Sequence, residues 1–214
     1  MILDIVSDVI CPWCFIGKRR FERALTIAPQ PELKIGWRPF QLNPDMPPEG
    51  MDRKAYLKAK FGDGGGGKMY DQVRAAGAEE GIDFAFDRIK RTPNTLKPHR
   101  LIRRAAKAER QDAMVEALFR GYFLDGEDLS DDATLIRLAH GAGFEPAETA
   151  AYLAGEDDLA EIRAEDAFAR QVGINGVPCF IIDRKFALSG AQPPESIVEV
   201  LELARREADE PEHV

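Results

Sequence analysis

Two cysteines three apart, Cys11-Pro12-Trp13-Cys14, follow closely on the chain's first apolar run, Ile2-Leu3-Asp4-Ile5-Val6. This arrangement constrains the fold more than any other feature. The run reads as a short buried strand, and Pro12 fits the first turn of a helix, where its missing N–H would be unpaired anyway. Residues three apart on a helix share a face, so the two sulfurs can join and part with little backbone movement. The one remaining cysteine, Cys179, lies near the far end of the chain and directly follows Val177-Pro178.

Around these two points the pattern falls into three parts. Phe15, Ile16, Phe21, Ala24 and Leu25 give the first helix an apolar stripe, and Pro29 and Pro31 end it. Leu33-Lys34-Ile35-Gly36-Trp37 alternates as a second strand, closing at Arg38-Pro39, so the opening forms a β-α-β unit. From 51 to 172 the pattern is almost wholly helical, with helices expected at 51–61, 66–80, 95–109, 111–124, 131–141, 146–154 and 157–172. Ser130 and Asp131 are set to cap the fifth of these, and Gly143 to stop it. Two short apolar runs, Cys179-Phe180-Ile181-Ile182 and Phe186-Ala187-Leu188, then read as a hairpin about Asp183-Arg184-Lys185. A last helix starts at Pro193-Pro194. The expected class is α/β: a thioredoxin-like fold, β-α-β then β-β-α, with a large α-helical insertion. Residues 1–45 and 170–206 would form the thioredoxin-like domain, 46–169 the helical insertion domain, and 207–214 an acidic, frayed tail.

Composition narrows the function. A net charge of -8, with Lys and Arg scattered among carboxylates, argues against nucleic acid, which needs a basic stripe. No apolar stretch is long enough to span a bilayer, so no membrane partner is expected. No basic, apolar leader precedes the first strand, and a cytoplasmic location is expected. There thiols are kept reduced, and a CxxC reads as catalytic or metal-binding rather than as a structural staple. Structural zinc wants four Cys or His ligands, and Cys179, His99, His140 and His213 are too scattered to complete a set. No metal is expected. Gly62-Asp63-Gly64-Gly65-Gly66-Gly67-Lys68 nearly spells a phosphate loop, but Met69 stands where a Ser or Thr is needed.

The chemistry of the pair follows from its place. The thiolate attacks a disulfide, and a free cysteine supplies little of it at neutral pH. Unpaired N–H groups and aligned peptide dipoles at a helix start favour negative charge. Cys11 is therefore expected to be held as the attacking thiolate. Cys14, one turn on and more enclosed, stays protonated until it resolves the mixed disulfide. A cis bond before Pro178 would present the Val177 backbone as a short strand edge to which a substrate peptide could add. Pro12 and Trp13 would shield one side of the sulfurs. Cys179 is expected to face the core, and His99, as a lone histidine, to be a surface or capping residue. Two inert, buried cysteines remain the bland alternative.

With these pieces in place, the chain resembles the DsbA-family thioredoxin-fold oxidoreductases, and within them the FrnE-like branch. The resemblance rests on Ser7–Lys18, on Trp37–Pro44, on Asn94-Thr95 ahead of His99-Arg100, on Gly173–Pro178 and on Leu188–Pro194. It implies a redox-active Cys11/Cys14 pair, a cis Pro178 and thiol–disulfide oxidoreductase or protein disulfide isomerase activity. It also implies that the segment at Asn94 faces substrate. Cys179 departs from the pattern, which commonly has a bulky apolar residue after the proline.

The same superfamily holds 2-hydroxychromene-2-carboxylate isomerase and kappa-class glutathione transferases, whose nucleophile position resembles Ser. The alternative is thus a glutathione-dependent isomerase or transferase acting on an aromatic small molecule, in a cleft lined by Trp13, Trp37, Phe40 and Asn94. A third reading is a partner-binding module with incidental thiols. The expected partners are a thiol- or disulfide-containing protein or small molecule and a redox partner that recycles the pair. No resident cofactor is expected, although glutathione could enter as a thiol co-substrate. A homodimer is left open by the sequence.

Overall fold

The computed structural model describes residues 1–64 and 66–209. Strand β1 (Ile2–Ser7) leads through a short loop into helix α1 (Pro12–Ile27), and β2 (Lys34–Pro39) returns parallel to β1. At the other end of the chain β5 (Cys179–Ile182) and β6 (Phe186–Ser189) form an antiparallel hairpin, followed by α9 (Pro194–Asp209). β5 pairs antiparallel with β1, so the sheet order is β2-β1-β5-β6. This is the β-α-β, then β-β-α arrangement expected from the sequence.

Strand alternation decides what covers each face of this sheet. Leu3, Ile5, Phe180 and Ile182 share one buried cluster with Phe21 and Ala24 of α1 and Ile197 and Leu201 of α9. Their neighbours Val6 and Cys179, one residue out of phase, point the other way and pack with Phe40 and Ala169. Ala169 belongs to α8 (Leu159–Gln171), which therefore covers that second face. The hairpin turn takes positive φ at Asp183 and Arg184, and the Asp183 carboxylate accepts the Ile2 N–H at 2.7 Å.

Between β2 and α8 lie two strands of two residues each, β3 (Met51–Asp52) and β4 (Arg91–Thr92), paired antiparallel. The helices there are α2 (Arg53–Phe61), α3 (Gly67–Glu79), α4 (Leu96–Lys107), α5 (Gln111–Arg120), α6 (Asp132–Gly141) and α7 (Pro146–Ala154). Each falls within a residue or two of its expected place, except that α5 passes into a π-helical turn at Gly121–Asp125. Asp131 caps α6 by accepting the Thr134 N–H, and Gly143 follows it with φ +88°. The cluster that starts on the sheet continues through Met114, Val115, Leu118, Phe119 and Phe123. Phe15 stacks on Phe119 at 5.2 Å, tying α1 to this helical part.

Two expectations change. The pair β3/β4 is too short to show a period of two in the sequence. The tail expected to fray from Glu207 is helical as far as Asp209, because Glu, Ala and Arg are good helix formers. The rest of that tail, 210–214, and Gly65 of the glycine run lie outside the described residues.

Candidate active site

The turn between β1 and α1 is built by backbone bonds that leave the cysteines no choice of place. The Cys11 N–H donates to the Asp8 carbonyl at 3.0 Å, and the Cys14 N–H donates to the Cys11 carbonyl at 3.0 Å. Cys11 is the N-cap of α1, with extended backbone, and Pro12 takes the first helical position. The N-terminal end of a helix favours negative charge, and the Cys11 sulfur lies at that end without a capping hydrogen bond to its N–H groups.

The two sulfurs differ in depth. Cys11 is 5% exposed and Cys14 is fully buried; both are free thiols. Burial pushes the Cys14 thiol well up, and the neighbouring Cys11 adds to the rise through a hydrogen bond and its charge. The Ser7 hydroxyl and the Asp8 main chain pull the other way. Cys14 is thus a thiol that holds its proton, in touch with an outer sulfur at a helix start.

The late proline comes to the same place. The Cys11 Sγ lies 3.5 Å from the Val177 carbonyl, across 166 residues of sequence, as a thiol donor to that oxygen. The Val177-Pro178 bond is cis. Gly17, one turn beyond Cys14, lies against this loop: a Cβ built there would stand 2.9 Å from the Pro178 Cγ. The lack of a side chain at Gly17 is what lets α1 approach Pro178. A glycine inside a helix costs about 1 kcal/mol relative to alanine, which is the sequence signal that a close approach is needed there.

The expected residues sort as follows. Cys11, Cys14, Pro12, Trp13, Val177 and Pro178 come together, with Trp13 half-buried against the core. Phe40 does not line a cleft. It is a core residue between β1 and α8, with the Arg170 guanidinium 4.2 Å over its ring, because the sheet face it meets is covered by α8. Asn94 uses both polar atoms internally: its amide donates to the Met46 carbonyl at 2.6 Å and its oxygen accepts the Leu96 N–H at 2.9 Å. It borders a groove of about 520 Å³ with Met46, Pro47 and Pro48, and none of its hydrogen bonds reaches the dithiol. Trp37 is buried against Phe119, and its backbone N–H and carbonyl are both met by the Gln111 side chain. His99 is neither surface nor cap. It is buried, with Nε2 3.5 Å from a carboxylate oxygen of the fully buried Asp8 and 3.2 Å from the Phe40 carbonyl. Cys179 faces α8, on the sheet face opposite Phe180, and burial raises its thiol.

Sequence reasoning missed Asp8, which orders this turn. Its carbonyl holds the Cys11 N–H, and its carboxylate accepts the Leu42 N–H at 2.7 Å. A short polar residue three positions before an N-cap gave no periodic signal. Among the described residues, no group of three His, Cys, Asp or Glu is arranged to hold a metal ion, and no helix is long and apolar enough to cross a membrane.

Comparison with known proteins places this geometry. Residues 2–202 match the model of the DSBA-like thioredoxin domain. The structure is similar to that of a probable DsbA oxidoreductase from Streptomyces coelicolor, with 34% identity, a TM-score of 0.90 and coverage of 100% of this chain and 94% of the other. It shares its fold with a 2-hydroxychromene-2-carboxylate isomerase at 14% identity and a TM-score of 0.73, covering 98% of each chain. It also shares it with the cytosolic disulfide reductase DsbM from Pseudomonas aeruginosa, solved with glutathione, at 19% identity and a TM-score of 0.70, covering 96% of this chain and 100% of that one.

Proposed function

Because the chain belongs to the family of DSBA-like thioredoxin domains, a family of redox proteins, we propose that it is a thiol–disulfide oxidoreductase using the Cys11/Cys14 pair. The observation that carries this reading is the unequal depth of the two sulfurs. The outer one, at the start of α1, touches the Val177 carbonyl, and the inner one keeps its proton.

The Cys11 thiolate attacks one sulfur of a substrate disulfide. A bond forms between Cys11 and that sulfur, the substrate S–S bond breaks, and the other substrate sulfur leaves as a thiolate that takes up a proton. Cys14 then gives up its proton and attacks Cys11, releasing the second substrate sulfur. The substrate is reduced by two electrons to two thiols while the protein pair is oxidised to a disulfide. Run backwards, the same steps oxidise a dithiol client. The main chain at Val177, with Pro12 and Trp13 on the other side, frames the substrate segment bearing the reacting sulfur.

In this reading residues 1–45 and 170–206 form the redox domain and 46–169 the helical insertion. The setting is the cytoplasm, and the partners are a disulfide-bearing protein or small molecule and a small thiol such as glutathione that recycles the pair. The test is insulin reduction and reactivation of scrambled ribonuclease by wild type, Cys11→Ser and Cys14→Ser. Loss of turnover in both variants is expected. Activity on an aromatic substrate that needs glutathione and survives Cys14→Ser would replace this reading with an isomerase or transferase.

A further inference from the structure

Asp8 has no exposed surface, and His99 beside it is 3% exposed. One carboxylate oxygen of Asp8 accepts the Leu42 N–H at 2.7 Å. The other, Oδ1, has no hydrogen bond, and the charged or chargeable group that faces it is His99 Nε2 at 3.5 Å. Other shielded carboxylates meet Arg or Lys: Glu80 has Arg20 and Arg23, Asp158 has Arg103 and Lys107, and Asp166 has Arg170. Among the described residues, no Arg or Lys pairs with Asp8.

A buried charge is costly unless an opposite charge meets it. His99 Nε2 also lies 3.2 Å from the Phe40 carbonyl, so it faces two oxygens and is the nitrogen that carries hydrogen. His99 forms part of the wall of a pocket of about 160 Å³ between β2, α4 and α8, through which the imidazole can exchange a proton with solvent. The charged groups of that pocket are Arg38, Arg103, Lys107 and Glu165. Arg100, next to His99 on α4, is turned to carbonyls around the end of α7. Asp166 and Arg170 of α8 pair with each other and hold the N–H and carbonyl of Gln41.

The acid belongs to the turn that carries the dithiol. The Asp8 carbonyl accepts the Cys11 N–H at 3.0 Å, which closes a four-residue turn. The α-carbons at the ends of such a turn lie within about 7 Å of each other. The Asp8 carboxylate and the Cys11 sulfur are thus side chains of one tight turn. Leu42, held by that carboxylate, packs on the same small cluster as Val177, whose carbonyl is 3.5 Å from Cys11 Sγ. An uncancelled carboxylate here would oppose a thiolate at Cys11.

We propose that Asp8 and His99 share one proton and are a positioning pair for the dithiol: His99, supplied by the helical segment, cancels the charge of Asp8, so that the turn can carry a thiolate at Cys11. The inference rests on the assignment of Cys11 as the attacking sulfur. The thiolate exists in the reduced pair and disappears when Cys11 enters an S–S bond, so the shared proton favours the reduced form. By the same coupling, the thiolate tightens the hold of the pair on its proton.

The test uses the full chain with His99→Gln, Asp8→Asn and the two together, each checked for folding by circular dichroism. Glutamine keeps an N–H for Phe40 and Asp8 but cannot take up the proton. Alkylation of Cys11 by iodoacetamide is followed from pH 5 to 10 by the mass of its peptide. His99→Gln is expected to slow it roughly tenfold at pH 6, the scale of one uncancelled charge nearby, and to converge on wild type above pH 9, where the thiol ionises regardless. Asp8→Asn, added to His99→Gln, removes that charge and should restore most of the lost rate. A purely structural role gives the reverse: a double variant slower still, with the deficit at every pH. Folded His99→Gln with the wild-type profile overturns the inference, and so does a double variant no faster than the single one. A second measurement needs no variant of the pair. With ring-labelled histidine, the His99 signals are titrated by NMR in the reduced and the Cys11–Cys14 disulfide forms, and assigned by elimination with His140→Gln and His213→Gln. The ring should lose its proton at higher pH in the reduced form; coincident curves overturn the inference even where His99→Gln does not fold. Wild-type Cys11 reacting no faster at pH 6 than a free thiol would overturn the exchange reading as well, while fast wild-type Cys11 with unchanged His99→Gln sinks this inference alone.

Discussion

Replacing Gly17 tests whether the approach of α1 to Pro178 is needed for both stability and exchange. A Cβ at position 17 would lie 2.9 Å from Cγ and 3.6 Å from Cβ of Pro178, and 3.5 Å from Cζ of Phe180. Two effects oppose each other in Gly17→Ala. Alanine gains about 1 kcal/mol in helix propensity. Overpacking against a ring that cannot swing aside costs about 1–3 kcal/mol. The net should range from near zero to about 2 kcal/mol of destabilisation. Gly17→Val adds two more methyl groups toward the same ring and gains less propensity, so the strain dominates. It should destabilise by about 2–3 kcal/mol, which in a chain of this size lowers Tm by roughly 4–12 °C. Exchange should suffer more than stability, because moving α1 off the loop separates Cys11 from Val177. A misplacement on the order of 1 Å can cost about a hundredfold in rate. Insulin reduction by folded Gly17→Val, measured below its melting transition, should fall at least tenfold, with Gly17→Ala between it and wild type. Wild-type Tm and rate in Gly17→Val would refute the reasoning.

The thiols should shape alkaline stability. Cys14 and Cys179 bind their protons more tightly folded than unfolded, because burial raises both. Their contribution is therefore complete below about pH 8 and is lost as pH rises through the folded values, with a slope of at most ~1.4 kcal/mol per pH unit for each. Urea unfolding of reduced protein between pH 8 and 10 should show this fall, and Cys14→Ala should flatten it; an unchanged slope would contradict the burial argument. Gln111→Ala should cost about 1–3 kcal/mol in urea unfolding, because the Trp37 N–H and carbonyl both lose their partner on the edge of β2. Asp131→Ala should cost about 1 kcal/mol. The Asp131 carboxyl is held below its usual range by the Thr134 N–H, so the stability it adds is present above about pH 4 and lost in acid, and the variant should lose less stability than wild type between pH 5 and 3.

What was legible in the sequence had a local cause. The stripe from Phe15 to Leu25 marked α1, and the apolar spacing of 111–124 marked the helix whose Phe119 meets Trp37. The dithiol was legible because spacing alone puts Cys11 and Cys14 on one face of a helix start. Where reading failed, the cause was long-range. Phe40 follows a strand that looks one-sided, and only α8, more than a hundred residues later, makes its face a core. His99 looked solitary because its neighbour Asp8 is ninety-one positions upstream. Cys179 was expected in the core because free cysteine is so often buried, and it is buried there, out of phase with Phe180.

The most direct test of the exchange mechanism is to trap its intermediate. Cys14→Ser removes the resolving sulfur, so incubation with glutathione disulfide or a disulfide-bearing peptide should leave a one-to-one mixed disulfide, located on Cys11 by peptide mass and released by excess thiol. An adduct on Cys179, or an intact Cys11 thiol after prolonged exposure, would contradict the account.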